Sequence, residues 1–180
     1  MTQIAVFVGS LRAASLNKKL AKNLEALAPE GTTFRYVDIA SLPLFNEELE
    51  SDYPVAAKAV KNIVEAADGV LVVTPEYNRG VPGALKNAID WASRPHGTNS
   101  FEGKPAGIVG ASGGVLGTAL AQAQLRNILL YLNVKLLGQP EVYLTRANDL
   151  FDDKGMIVEA SREFLKKYID TFVVHINSQK

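Results

Sequence analysis

Two stretches of this chain, Ile4-Ala5-Val6-Phe7-Val8 and Val70-Leu71-Val72-Val73, are apolar at every position. A strand with one wet face alternates apolar and polar side chains, so unbroken runs of this kind belong to parallel strands covered on both faces. The cover is written between them. After the first run, Leu16, Leu20, Ala21, Leu24, Leu27 and Ala28 recur at helical spacing while Lys18, Lys19, Lys22 and Glu25 fall elsewhere. Pro54 opens a second helix, in which Val55, Ala59, Ile63 and Ala66 form the apolar stripe until Asp68-Gly69 ends it. A third helix begins at Val81-Pro82-Gly83, turns Ala84, Leu85, Ala88 and Ile89 inward, and stops at Ser93-Arg94-Pro95.

The remaining segments complete an alternation of strands and helices. Thr33–Ile39 alternates only partly and reads as an outer strand, Pro105–Ala111 as a fourth, and Val134–Leu137 with Val142–Leu144 as a fifth, interrupted one. A last helix from Ile157 to about Ile176 is expected to bury Ser161, Phe164, Leu165, Tyr168 and Phe172. Strands separated by helices form a parallel sheet with right-handed crossovers. The fold class is therefore α/β, a flavodoxin-like doubly wound sheet of five parallel strands in the order 2-1-3-4-5 with helices on both faces. With 180 residues, 47% of them hydrophobic, one domain over residues 1–180 is expected. Ligands of such sheets bind beyond the carboxyl ends of the strands, at the switch point.

At the end of the first strand stands Gly9-Ser10-Leu11-Arg12-Ala13-Ala14-Ser15-Leu16-Asn17. The helix after it starts near Ser15, so its unpaired N–H groups and positive dipole end face the strand tip, a ready anion site. Ser10, Ser15 and Asn17 add polar side chains, and Arg12 brings the one full positive charge of the loop. There is no Walker lysine and no G-x-G-x-x-G, so a terminal phosphate monoester, as in a mononucleotide, suits the loop better than a triphosphate with magnesium. The residues alone also admit an ordinary helix capped by Ser15 with a solvated Arg12. Beside it, at the end of the third strand, Pro75-Glu76-Tyr77-Asn78-Arg79-Gly80 offers peptide groups for a flavin's pyrimidine edge, Tyr77 as a wall for the ring and Arg79 as a charge. A simple closed turn is the other reading of that loop.

These residues resemble the NAD(P)H-dependent FMN reductases, a family that includes chromate and quinone reductases. The family's phosphate-loop pattern G-S-x-R-x-x-S-x-N is matched by Gly9, Ser10, Arg12, Ser15 and Asn17. Its longer flavin-loop pattern is matched by Pro75-Glu76-Tyr77-Asn78, Pro82-Gly83, Leu85-Lys86-Asn87-Ala88, Asp90-Trp91 and Ser93-Arg94-Pro95. With Leu42-Pro43-Leu44-Phe45-Asn46, Gly103-Lys104-Pro105, the Ser112 loop, Gln122 and Leu125-Arg126, the likeness runs from residue 4 to about 145. It implies non-covalent FMN, NADPH or NADH as cosubstrate, and hydride passed through the flavin to quinones, azo compounds, free flavins or metal oxyanions such as chromate. Phosphate contacts carry over to Ser10, Arg12, Ser15 and Asn17, with Leu16 beside them. Ring contacts carry over to Pro75, Glu76, Tyr77, Asn78 and Ser112, with Gly113 beside it. No protein acid or base is required, because the chemistry sits at flavin N5. The pattern departs at Thr118 and Leu120, where many members have glycine and arginine.

Competing readings remain at this level. Gly110-Ala111-Ser112-Gly113-Gly114 satisfies G-x-S-x-G, and Asp149 or Asp152 with His175 completes the chain order of a serine hydrolase. A flavodoxin-like electron carrier shares the fold, although such carriers tend to be acidic and this chain carries 19 basic and 19 acidic residues. That balance gives no attraction to nucleic acid or an anionic membrane, so small-molecule acceptors are the expected partners. The first apolar run is too short for a signal sequence or a membrane span, and the chain has no cysteine, so a cytoplasmic location is expected. His96 and His175 have no clustered carboxylates, and no metal site is expected. Trp91 reads as packing. Finally, Leu120, Ala121, Ala123, Leu125, Ile128, Leu129, Leu130, Tyr131 and Leu132 surround the helix over residues 117–132, which implies a homodimer or homotetramer joined partly there.

Overall fold

The computed structural model describes residues 1–180. In chain order the elements are β1 (Thr2–Val8), α1 (Leu16–Leu27), β2 (Thr32–Tyr36), α2 (Val55–Ala66), β3 (Gly69–Thr74), α3 (Gly83–Ser93), β4 (Pro105–Ala111), α4 (Ala119–Tyr131), β5 (Lys135–Leu136), β6 (Val142–Leu144) and α5 (Glu159–Ser178). The sheet runs β2-β1-β3-β4-β5, and every pairing is parallel. The interrupted fifth strand is present as two pieces on one edge of β4: Lys135 pairs with Pro105 at its amino end, Val142 with Val109 near its carboxyl end.

The fully apolar strands earn their composition by being covered twice. Ile4, Val6, Val8, Leu71, Val73, Val109 and Ala111 point to one face, where Leu20 and Leu24 of α1 meet Leu165, Tyr168 and Phe172 of α5. Their neighbours Ala5, Phe7, Val70, Val72, Ala106 and Ile108 point to the other, under Val60 and Val64 of α2, Leu85, Ala88 and Ile89 of α3, and Leu125 and Leu129 of α4. The two-residue period of a strand divides one apolar run between two cores. β2, on the edge, alternates half-buried Thr32, Phe34 and Tyr36 with exposed Thr33 and Arg35.

Several expectations need correction in detail. α2 buries Ala57, Val60 and Val64, not the stripe of Val55, Ala59, Ile63 and Ala66; Val55 and Ala59 are exposed. This helix carries two adjacent apolar stripes: Ala57, Val60 and Val64 turn toward the sheet, Ile63 packs partly covered beside them, and Val55, in the first turn, stays in solvent. In α5, Phe164 is exposed and Ser161 only partly covered, whereas Ile169, Val173 and Ile176 join Leu165, Tyr168 and Phe172 inside. β2 ends at Tyr36, short of Ile39. Trp91 is fully buried, edge-on to Phe45 and Tyr53, with Nε1 donating to the Pro43 carbonyl at 2.8 Å. The loop after β2 thus folds over α3.

Candidate functional site

Parallel pairing puts the carboxyl ends of β1, β3 and β4 side by side, since Val8 lies against Val73 and Thr74 against Gly110. The loops that leave those ends therefore start within about 10 Å of one another, two strand spacings. Gly9 makes the closest approach: its N–H donates to the Val73 carbonyl at 2.9 Å. A Cβ built on it would stand 3.0 Å from the Leu85 side chain and 3.2 Å from the Pro75 ring, so glycine lets the first and second loops press together without displacing either.

None of the backbone N–H groups from Ser10 to Leu16 donates to another group of the chain. Ser15 is the N-cap of α1, and its Oγ accepts from the N–H groups of Asn17 at 3.2 Å and Lys18 at 3.3 Å. That geometry leaves the hydroxyl hydrogen of Ser15 to serve as a donor. Ser10 is buried and Arg12 exposed, while the Leu16 side chain packs on the core. A run of unpaired donors ending on a helix N-terminus, with a guanidinium beside it, has the chemistry to hold a phosphate.

Asn17 does more than sequence reading assigned to it. Its side-chain amide spans to β4, donating to the Ala111 carbonyl at 2.9 Å and accepting from the Ala111 N–H at 3.0 Å. This 2 % exposed side chain replaces a sheet partner at the end of β4 and ties the first loop to the third. A single polar residue in a first helical turn gives no sign of a partner 94 positions away.

In the second loop, Tyr77 and Gly80 exchange hydrogen bonds at 3.1 and 2.9 Å around Asn78 and Arg79, both of which have positive φ (51° and 65°). That is a two-residue hairpin of the type I′ class. Pro75 is buried, the Tyr77 ring is 51% exposed at the hairpin's tip, and the N–H groups of Asn78 and Arg79 are unpaired. Glu76 turns its side chain away: its Oε2 accepts from the N–H groups of Leu120 at 3.0 Å and Ala121 at 3.1 Å, in the first turn of α4. The Arg79 guanidinium leans over the same carboxylate at 3.6 Å. Glu76 therefore caps a helix with its carboxylate and can offer a ligand only its backbone. The trace of this in the sequence is negative: α4 begins after Thr118, which sits at φ 72° and makes no side-chain cap.

Thr118 itself is occupied. Its Oγ1 accepts from Gln122 Nε2 at 3.0 Å, and it fills the space over Gly110 that any side chain there would need. In the third loop, Ser112 anchors its backbone to β6 and beyond, donating to the Leu144 carbonyl at 3.0 Å and accepting from the Ala147 N–H at 2.9 Å. Gly113 to Leu116 are exposed, and the three loops together form an open shelf. Beside the first loop of the shelf, between α1 and the end of β2, lies a cleft of about 280 Å³, lined by Ser10, Leu11, Lys18, Lys22, Tyr36 and Asp38 among others. It shares only the loop's outer edge with the unpaired donors.

The hydrolase geometry is absent. Nε2 of His175 lies 2.8 Å from the carbonyl of Lys135, which pairs with the first residue of β4, whereas Ser112 follows its last. About seven residues of extended strand, roughly 20 Å, separate them. No group of three or more His, Cys, Asp or Glu residues is placed to hold a metal ion.

Comparison with known proteins gives a consistent answer. The chain is 46% identical over 179 residues to a 2-hydroxy-1,4-benzoquinone reductase of a Burkholderia species, covering 99% of this chain and 98% of that one. It is 43% identical to a quinone reductase of Pseudomonas putida over 94% of this chain and 91% of the relative. Among solved structures, the flavoenzyme NAD(P)H:(acceptor) oxidoreductase FerB of Paracoccus denitrificans superposes with a TM-score of 0.94 at 43% identity, covering 99% of both chains. The family model described as NADPH-dependent FMN reductase matches residues 2–149, which contain all three loops of the shelf. The chain belongs to the NADPH-dependent FMN reductase family.

Proposed function

We propose that residues 1–180 act as one FMN-binding domain that passes hydride from NADPH or NADH to small-molecule acceptors, quinones first among them. The observation that carries this reading is the unbroken series of unpaired N–H groups from Ser10 to Leu16, beside the unpaired N–H groups of Asn78 and Arg79. One set suits the FMN phosphate, with Arg12, Ser10 and the Ser15 hydroxyl around it; the other suits the edge of the ring. Asn17 supports the phosphate loop by bracing it against Ala111, and Pro75, Glu76, Tyr77, Asn78, Ser112 and Gly113 line the ring side, Glu76 through its backbone.

Bound FMN supplies a hydride acceptor at N5 of its ring, and the chain's own contribution is orientation and electrostatics. The peptide donors of the second loop fix the ring and favour negative charge on it. The open shelf leaves one face of a ring held there accessible, so that donor and acceptor take turns on it. Quinones are favoured as acceptors because the relatives include a 2-hydroxy-1,4-benzoquinone reductase and a quinone reductase. Azo compounds, free flavins and chromate are further acceptors of this proposal.

Assembly belongs to the proposal as well. Leu125 and Leu129 of α4 are fully buried in the chain's own core, but Leu120, Leu130 and Tyr131 are 43%, 62% and 88% exposed on its outer side. A second copy covering that apolar face gives a homodimer or homotetramer. No helix of the chain is long and apolar enough to cross a membrane, and a chain without cysteine suits the reducing cytoplasm.

The deciding experiment is a titration of the flavin-stripped protein with FMN, followed by absorbance and fluorescence. Uptake of about one FMN per chain and bleaching of its absorbance by NAD(P)H, reversed by a quinone, are expected. A protein that leaves FMN fluorescence unquenched at micromolar concentration refutes the proposal.

A further inference from the structure

The hairpin at the ring side of the shelf is built from residues that do not favour it. A type I′ turn needs φ above zero at both central positions, which is why asparagine followed by glycine is its usual pair. Asn78 satisfies the first position at φ 51°, but the second is Arg79, at φ 65°, where a side chain is strained. Such a conformation persists only where neighbouring groups over-determine it. The two mutual bonds between Tyr77 and Gly80 close the turn but do not hold the Arg79 peptide itself.

The extra restraint comes from α4. Gln124, in the second turn of that helix, places its amide across the hairpin's exit. Nε2 donates to the Arg79 carbonyl at 3.3 Å, and Oε1 accepts from the Val81 N–H at 3.1 Å. It thus grips the chain on both sides of Gly80. A Cβ at residue 80 would stand 3.1 Å from Gln124 Oε1, so the glycine there is what lets the amide lie against the turn. At the hairpin's entrance the direction of holding reverses: Glu76 reaches out and caps the N–H groups of Leu120 and Ala121 in the first turn of α4. Hairpin and helix are stitched in both directions, by residues 43 or more positions apart in sequence.

From this geometry we propose that Gln124 is a positioning residue for the flavin: it keeps Arg79 left-handed and so aims the unpaired N–H groups of Asn78 and Arg79 at the edge of the ring. This rests on the FMN reading above and adds a residue that touches neither phosphate nor ring. Its loss has a specific consequence. FMN and riboflavin share the ring, so both weaken by the same factor, unlike a loss at the phosphate loop, which FMN alone feels. The midpoint potential of the bound flavin falls toward that of free flavin, because donors that favour the reduced, negatively charged ring are no longer held in place.

The test uses full-length protein stripped of flavin and titrated with FMN and with riboflavin. Gln124→Leu keeps the side chain's bulk, removes both hydrogen bonds, and lies on the exposed side of α4, so folding survives. About tenfold weaker binding of both flavins is expected, the size of one or two lost hydrogen bonds, with a lower midpoint potential. Adding Arg79→Gly creates the Asn-Gly pair that adopts the turn unaided, and the double variant regains flavin affinity. Gln124→Glu, whose second oxygen would oppose the Arg79 carbonyl, behaves like the leucine variant. Unchanged riboflavin affinity in Gln124→Leu, or no rescue by Arg79→Gly, overturns the assignment while the function stands. A wild-type protein that takes up neither flavin overturns the proposed function, and this assignment falls with it.

Discussion

Glu76→Ala tests the capping role on protein without flavin, where no ligand obscures the result. The substitution removes one carboxylate that accepts two hydrogen bonds, at 3.0 and 3.1 Å, from N–H groups in the first turn of α4. Losing an N-cap costs about 1 kcal/mol. Removing a negative charge from the positive end of a helix adds about 0.5 to 1 kcal/mol, more where the group is sheltered, and this side chain is only 8% exposed. The sum is about 2 kcal/mol. For a chain of this length, a melting temperature falls about 2 to 4 °C per kcal/mol, so about 4 to 8 °C is expected. Glu76→Gln separates the two parts: its amide oxygen still accepts, and only the charge–dipole share, about 0.5 to 1 kcal/mol, is lost. Thermal and urea unfolding of the three proteins measure both differences. If alanine and glutamine cost the same, or if alanine costs under about 0.5 kcal/mol, the carboxylate is not a cap and the argument from α4 fails.

Three further outcomes are expected. Arg12→Ala weakens FMN by about 1.5 to 3 kcal/mol while leaving riboflavin nearly unaffected; equal losses in parallel titrations contradict a phosphate role for the exposed guanidinium. Leu130→Glu, on the exposed side of α4, lowers the mass seen by light scattering to the 19.4 kDa of one chain, and a wild type that already scatters as 19.4 kDa rejects the assembly. Asp68 accepts from the Gln3 N–H at 2.7 Å and faces Lys180, which together hold its carboxyl below the ordinary carboxylate value. A depressed folded-state value stabilises above the unfolded-state value and is lost as pH falls through the folded one. The gap in melting temperature between wild type and Asp68→Asn is therefore full at neutral pH and closes below about pH 4; a gap that persists at pH 2 refutes this.

What could be read from the sequence follows from how far apart the cooperating residues lie. The apolar runs of β1 and β3 gave away their double burial, and the limits of β4 fell where they were expected, because strand and helix signals are carried by neighbours. Ser15 was legible as the cap of α1 for the same reason. Periodicity failed where two stripes competed, as in α2, where Val60 and Val64 displaced Val55 from the core. It also failed where a side chain works at long range: nothing near Asn17 points to Ala111, and nothing near Glu76 points to Leu120. Leu125 and Leu129 counted equally with Leu130 on a helix apolar all round, and only the packed structure divides them into covered and uncovered sides. The motif resemblance falls on the loops of the shelf; it does not say which of their side chains are taken up by one another, as Asn17 and Glu76 are.

The two-way stitching of the second loop to α4 bears on protein engineering. A loop whose shape is intrinsic, such as an Asn-Gly hairpin, is portable and keeps its conformation on a foreign scaffold. The segment Pro75–Val81 is not portable in that sense, because the groups that fix its exit and receive its entrance lie in a helix beginning at Ala119. A graft of this hairpin onto another parallel sheet would carry the matching letters and lose the shape unless α4 travelled with it. The smallest unit that can be moved is the hairpin with its helix, together with Gly110, the bare backbone over which Thr118 folds to start that helix.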